Sequence, residues 1–119
     1  MGAPERAARM QGPPNTAIVT ATTLPIPDDA AQLLMEAATA QFVDKFETKW
    51  IEGREIELRV RTSSASAVLP RSNQTGSNIK LESSATNVLL GPGDSMRFRA
   101  MYDASGNQAW YQSSPLSNH

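Results

Sequence analysis

The stretch Gly76–Gln112, GSNIKLESSATNVLLGPGDSMRFRAMYDASGNQAWYQ, contains three apolar runs separated by turn sequences. In the clearest run, one set of alternating residues is mostly apolar and the other mostly charged: Met96, Phe98, Ala100 and Tyr102 against Arg97, Arg99 and Met101. Such alternation predicts a strand with one buried face. The flanking segments Gly91–Asp94 and Asp103–Asn107 are typical of turns. We therefore expect this strand to lie at the centre of an antiparallel β unit.

Length and charge restrict the class of protein. A chain of 119 residues predicts a single domain. The net charge of −1 provides no long-range field for nucleic acid or an anionic membrane, so neither is an expected partner. The chain has no cysteine, which excludes disulfides and thiolate metal sites. No apolar run approaches the length of a membrane span and no signal sequence is visible, so we expect a soluble protein made in the cytoplasm.

Residues 1–27 contain most of the prolines and little apolar periodicity. They predict an extended arm, in which only Ala17–Val19 and Leu24–Ile26 could form strands, at sheet edges or outside the main sheet. Two alternatives remain open for the arm: a tail without fixed structure, or a segment that a neighbouring subunit orders.

Residues 28–47 are compatible with two structures. Asp28 or Asp29 could cap a helix, and apolar residues recur at helical spacing from position 31 to 46. Alternatively, Leu33–Met35 and Gln41–Phe46 form two short strands. Periodicity does not decide between one helix and two strands over residues 29–46.

From Ile51 onward the pattern is again that of strands. Glu52-Gly53 predicts a turn, and Ile56, Leu58 and Val60 then alternate with charged residues. Further short strands are expected at residues 67–69, 79–81, 87–90 and 96–102. This spacing predicts an antiparallel β-sandwich or jelly-roll-like domain over residues 28–114, with a frayed end at 115–119. The predicted core comprises Ile56, Leu58, Val60, Ile79, Leu81, Leu90, Met96, Phe98 and Tyr102.

Four motifs in this order resemble the small β modules of bacteriophage virion proteins. They are the segments 53–60 (GREIELRV), 78–81 (NIKL), 93–98 (GDSMRF) and 106–110 (GNQAW). Such modules occur in tail fibres, tailspikes and head decoration or head fibre proteins. The resemblance covers residues 30–114, implies strands at 33–35 and 39–43, and implies no catalytic residues. Modules of this family commonly assemble as trimers.

The chain offers few groups for catalysis or metal binding. The only histidine, His119, is the last residue. Asp94 and Asp103 could form a glycosidase pair, but each lies beside glycine in a predicted turn, where its side chain would cap the backbone. The segment from Asp103 has the first spacings of a calcium loop yet lacks the acidic residue at its twelfth position. We therefore predict no enzyme, no metal and no cofactor.

Aromatic and basic residues remain as candidates for interactions. Trp50, Trp110 and Tyr111 are candidate subunit-interface or surface aromatics, with one ring of the Trp110-Tyr111 pair directed to the core. Four arginines on two strands, Arg59, Arg61, Arg97 and Arg99, could form a basic patch, although Glu55, Glu57 and Glu82 could neutralise it. In the arm, Arg6, Arg9, Ile18 and Val19 are candidates for docking onto a capsid.

The resemblance leads us to expect a structural virion protein, a capsid decoration or cement protein. It would act as a homotrimer on the exterior of a phage head, with the major capsid protein as its partner. The alternative is a receptor- or glycan-binding module of a phage tail fibre. If the resemblance is accidental, a cellular β-sandwich binding domain remains.

Overall fold

The computed structural model describes residues 15–72, 74–82 and 86–117, and this part of the chain contains strands and no helix. The strands are β1 Asn15–Ile18, β2 Thr23–Pro25, β3 Gln32–Glu36, β4 Gln41–Val43, β5 Lys45–Glu47, β6 Glu55–Val60, β7 Val68–Pro70, β8 Ile79–Lys80, β9 Ser95–Tyr102 and β10 Gln108–Gln112. The prediction of a mainly β protein is confirmed. The helical alternative for residues 29–46 is wrong, because tertiary pairing overrides local helix propensity there.

The main sheet has six strands in the order β1-β3-β6-β9-β10-β8. Its central strands β6, β9 and β10 are antiparallel, as expected. Strands β1, β3 and β6 are parallel to one another, and β8 is parallel to β10. The sheet is therefore mixed, and the prediction of purely antiparallel pairing is wrong. Parallel neighbours arise because the chain leaves the sheet after β1 and after β3 and returns in the same direction.

The intervening strands form two small parallel sheets, β2 with β5 and β4 with β7. The chain thus winds in three coils: β1 and β2, then β3 to β5, then β6 and β7. In each coil one strand belongs to the main sheet and the rest to the small sheets. Two isolated bridges, Val68 to Leu90 and Arg71 to Asn87, place the predicted strand at residues 87–90 antiparallel to β7.

An interruption at Asp44 separates β4 from β5 and reverses the alternation of side chains. Val43 and Phe46 are both buried although they are three residues apart, which a regular strand with a period of two does not allow. Arg71 holds the interruption through two hydrogen bonds, from Nε to Asp44 Oδ1 at 2.7 Å and from Nη2 to Asp44 Oδ2 at 2.9 Å. Such a bidentate pair is geometrically specific, so it fixes the two half-strands relative to each other.

The core lies between the main sheet and the small sheets. The Phe46 ring of β5 meets Phe98 edge-on, with centroids 5.0 Å apart, and lies 6.1 Å from Trp110. Seven of the nine predicted core residues are buried: Ile56, Leu58, Val60, Ile79, Leu90, Met96 and Phe98. Leu81 is partly buried against this cluster. Tyr102 is 51% exposed, so its assignment to the core is wrong. Tyr102 is the last residue of β9, and the last buried residue of this strand is Ala100.

Both predicted ends of the domain require correction. Residues 15–27 are part of the domain, because β1 and β2 pair with β3 and β5 and bury Val19, Leu24 and Ile26. The boundary at residue 27 is therefore wrong. At the other end, Leu116 packs against the core and Ser117 pairs with Ser95, so these two residues belong to the fold, and residues 118 and 119 lie outside the described part. Residues 1–14 lie outside the described part.

Candidate interaction surfaces

The two candidate catalytic carboxylates cap turns at opposite ends of β9. Asp94 Oδ2 accepts a hydrogen bond from the Gly91 N–H at 2.9 Å, and Asp103 Oδ1 accepts from the N–H groups of Ser105 and Asn107, both at 2.9 Å. At about 3.3 Å per residue, the extended chain from Asp94 to Asp103 separates them by about 30 Å. Glycosidase carboxylates lie about 5–9.5 Å apart. The turn-forming roles are confirmed, and these two groups do not form a hydrolytic pair.

The hydrogen bonds at Asp103 lower the pKa of its carboxyl group. The bond from the Asn107 N–H contributes most, and the bond from the Ser105 N–H adds to it, because both stabilise the charged form. Within the described residues, no three His, Cys, Asp or Glu side chains lie together as a metal site would need. The only histidine, His119, lies outside the described part of the chain.

Of the three candidate aromatics, Trp110 belongs to the core. It is 1% exposed and buried within its own chain, so it is not available as a surface or interface residue. Tyr111, the next residue along β10, is half-buried and pairs in register with Arg99 and Lys80. The expectation that one ring of this pair enters the core is confirmed.

Trp50 belongs to a partly exposed cluster that we call the aromatic patch, defined by Trp50, Ile51 and Tyr102. The Trp50 Nε1–H donates to the Ala109 carbonyl at 2.9 Å, which fixes the indole, and its ring lies 4.6 Å from that of Tyr102. Ile51 is 53% exposed and Tyr102 51% exposed, whereas Met101 lies on the opposite face of β9.

The turn at Gly53 joins the two chain segments of the aromatic patch. Gly53 has a φ of 90°, which favours glycine, and its N–H donates to the Ala100 carbonyl at 2.8 Å. The turn thereby places Trp50 and Ile51 beside the end of β9. Alternation along β9 alone did not reveal the patch, because it placed Tyr102 in the core.

The docking candidates of the arm divide into three groups. Ile18 is 71% exposed on β1, the outermost strand of the main sheet. Val19 is 3% exposed and packs in the core, so it is not a docking residue. Arg6 and Arg9 lie outside the described residues. A groove of about 500 Å³ opens beside Ile18, between β1 and β2, with Leu24 and Pro25 on its other side.

The outer face of the main sheet carries the four arginines, and only two of them have acidic partners. Arg97 Nε lies 3.9 Å from Glu57 Oε2, and Arg61 Nη1 lies 3.9 Å from Glu36 Oε2. Arg59 and Arg99 form no ion pair with any described residue. Neutralisation of the basic patch is therefore incomplete. Register places Glu55 opposite Arg99 and Glu57 opposite Arg97, but only the second pair lies within ion-pair distance, which the sequence does not show.

The described part of the chain has no helix long and apolar enough to cross a membrane. Comparisons of the chain with protein-family models, with curated proteins and with solved structures found no match.

Proposed function

We propose that this chain is a structural virion protein of a bacteriophage, a capsid decoration or cement protein that acts as a homotrimer bound to the major capsid protein. The motif resemblance supports this proposal. The observation that carries it is the presence of two separate exposed apolar surfaces, the aromatic patch and the β1 edge at Ile18. Exposed apolar residues that cluster, rather than scatter, mark sites of protein contact.

The aromatic patch is the subunit contact in this proposal. Trp and Tyr are enriched at the buried centres of interfaces, and the patch contains both beside an exposed isoleucine. Because Trp50 is fixed by its hydrogen bond to Ala109, little side-chain entropy is lost when the patch is covered.

The β1 edge is the capsid contact. β1 pairs on one side only, with β3, so its other side can accept a strand of a partner. Residues 1–14, with Arg6 and Arg9, directly precede β1 and would reach the same partner, where their cations favour an acidic surface.

Native mass measurement tests the trimer. Tyr102→Glu should convert the trimer to monomer, because it buries a charge in the subunit contact. Leu89→Glu is the matched control, since Leu89 is 56% exposed outside the patch, and this variant should remain trimeric. A monomeric wild-type protein, or equal effects of both variants, would refute the subunit contact.

Truncation tests the capsid contact. Removal of residues 2–14 leaves β1 intact, so the truncated chain should fold and trimerise but lose occupancy on capsids of its phage. Ile18→Asp in the full chain should reduce occupancy as well, whereas Thr16→Asp on the same strand is the control. Undiminished occupancy of both the truncated chain and the Ile18 variant would contradict docking through this edge.

A receptor- or glycan-binding module of a tail fibre is the second candidate, favoured by the Trp50–Tyr102 ring pair. Sugars stack on exposed aromatic faces, and this pair is held rigidly. Binding on a glycan array that Tyr102→Ala abolishes would favour this candidate over the capsid protein. Array binding that is unchanged in the variant, or absent in the wild type, would exclude the ring pair as the glycan site.

A further inference from the structure

Arg59 lies near the middle of the outer face of the main sheet, and neither of its cross-strand neighbours is acidic. Its register partners are Leu34 on β3 and Ser95 on β9. On the same face, the neighbouring pairs Arg97 with Glu57 and Arg61 with Glu36 are each within 3.9 Å. Glu57 lies two residues earlier on the same face of β6 but is within ion-pair distance of Arg97, so Arg59 forms no ion pair among the described residues.

The Nε atom of Arg59 is buried and forms no hydrogen bond with any described residue. A buried donor without a partner destabilises the folded state. The apolar stem of an arginine can pack on the sheet while its guanidinium stays in water, so packing of the stem does not require Nε to be buried. Groups that are costly for stability are typically found where function needs them.

Two cavities border Arg59, one on each side of its side chain. The first, of about 390 Å³, is also lined by Leu34, Arg61, Thr62 and Ser63. The second, of about 490 Å³, is also lined by Arg97, Ser95, Ser114 and Leu116. Both volumes are within the range of small-ligand sites, and both linings combine hydroxyl groups with one leucine and a second arginine.

Glu57 also lines the second cavity, but its carboxylate is already engaged. Its Oε1 accepts a hydrogen bond from Gln32 Nε2 at 2.8 Å, and its Oε2 faces Arg97. The acid therefore repels an incoming anion less than a free carboxylate would.

We propose that Arg59 and the hydroxyl-lined cavities beside it form a binding site for an acidic sugar, a hydroxylated ring that carries a carboxylate or sulfate group. The oxyanion pairs with the Arg59 guanidinium, and the ring hydroxyls exchange hydrogen bonds with the serine and threonine side chains. This site shares no residue with the aromatic patch, and the proposal does not depend on the proposed capsid function.

Calorimetric titration of the full chain with glucuronate tests the proposal, with glucose 6-sulfate, glucose and inorganic sulfate as the comparison ligands. Arg59→Gln should weaken glucuronate binding about tenfold or more, since it removes a charge-assisted hydrogen bond. Arg99→Gln is the matched control, because Arg99 also lies on this face without an ion pair, opposite Glu55, but borders neither cavity, and it should change the affinity less than about twofold. Glucose 6-sulfate should bind like glucuronate, whereas glucose and sulfate should each bind more weakly.

Three results would overturn the proposal: no glucuronate binding at millimolar concentration, equal weakening in the Arg59 and Arg99 variants, or sulfate binding as tight as that of both acidic sugars. The last result would indicate an adventitious ion only. Arg59→Lys separates ligand binding from folding, because it keeps the charge but loses the planar fork. It should unfold with the same cooperativity as the wild type and bind glucuronate with intermediate affinity; affinity equal to that of the wild type would exclude recognition by the guanidinium.

Discussion

The side-chain amide of Asn78 pairs with both backbone groups of Phe46. The Phe46 N–H donates to Asn78 Oδ1 at 2.9 Å, and Asn78 Nδ2 donates to the Phe46 carbonyl at 3.0 Å. One side chain thus occupies the position of a strand beside β5, on the side that β2 does not cover. Because Asn78 directly precedes β8, it ties the second layer to the main sheet at the point where Phe46 enters the core.

Replacing Asn78 should destabilise the fold. Asn78→Leu leaves two partly buried backbone groups without partners, and we expect a loss of about 2–4 kcal/mol in the free energy of unfolding. Asn78→Asp keeps the acceptor but places an oxygen opposite the Phe46 carbonyl, so it should be similarly damaging near pH 7. Urea denaturation measures both, with Asn87→Asp, an exposed asparagine, as the control. A stable Asn78→Asp variant would show that the donor half of the pair contributes little.

The two faces of β9 should respond differently to truncation. Phe98 is fully buried against Phe46, so Phe98→Ala should cost about 3–5 kcal/mol through lost transfer energy and the resulting cavity. Arg97 is exposed, and Arg97→Ala should change stability by no more than about 0.5 kcal/mol. Chemical denaturation compares them directly, and equal losses would contradict the assignment of faces.

Ser64 satisfies backbone groups that would otherwise be buried without partners. Its hydroxyl accepts from the Ala37 N–H at 3.0 Å and donates to the Ser66 carbonyl at 2.8 Å, and the residue is 8% exposed. Ser64→Ala should therefore cost about 1–3 kcal/mol. Ser63→Ala, one residue earlier and exposed, should be nearly neutral in the same thermal melts. If both variants melt at the wild-type temperature, these hydrogen bonds do not stabilise the loop.

Asp103 should make stability depend on acid pH. Because its pKa is lowered in the folded state, the charged form contributes stability above the pKa of the unfolded chain, and this contribution is lost as the pH falls through the folded value. Asp103→Asn keeps the acceptor oxygen without the charge. The stability difference between wild type and variant should therefore be constant near neutral pH and shrink from about pH 5 to pH 2. If the difference in free energy of unfolding between wild type and variant stays constant over this pH range, the effect is refuted.

Arg59 should be dispensable for folding. Arg59→Met keeps an unbranched apolar stem and removes the unpaired buried Nε, so the free energy of unfolding should stay equal or rise by about 1 kcal/mol. Arg61→Met is the comparison, since it removes an exposed ion pair and should change stability little. A large loss in the Arg59 variant alone would assign the guanidinium a structural role.

Strand positions were largely predictable from the sequence, whereas strand pairing was not. Alternation in Ile56–Val60 and Met96–Tyr102 and the turn residues between them are local signals, and they indicated β6, β9 and β10 correctly. The parallel pairing of β3 with β6 depends on the path of the chain between them, which no local pattern records. The burial of residues 15–27 was missed for the same reason. Leu24 and Ile26 become buried because β2 pairs with β5, and no local pattern records that pairing.

The interaction surfaces were less predictable than the strands. Trp50 was identified from its residue type, but its neighbour Tyr102 was assigned to the core by alternation and lies on the surface. Arg59 and Arg97 were indistinguishable in the sequence. Only register shows that Arg97 faces Glu57 whereas Arg59 faces Leu34 and Ser95.

The winding of the chain also determines the order in which it can fold. Among the described strands, β9 and β10 are the only consecutive pair that hydrogen-bond to each other, so the first local structure is a hairpin near the C-terminus. The central strand β6 acquires its antiparallel neighbour only when β9 is present, and such distant pairings close slowly. During synthesis, the three N-terminal coils therefore leave the ribosome with an unpaired edge along β6. We expect this nascent half of the protein to need protection from aggregation until the last quarter of the chain has been made.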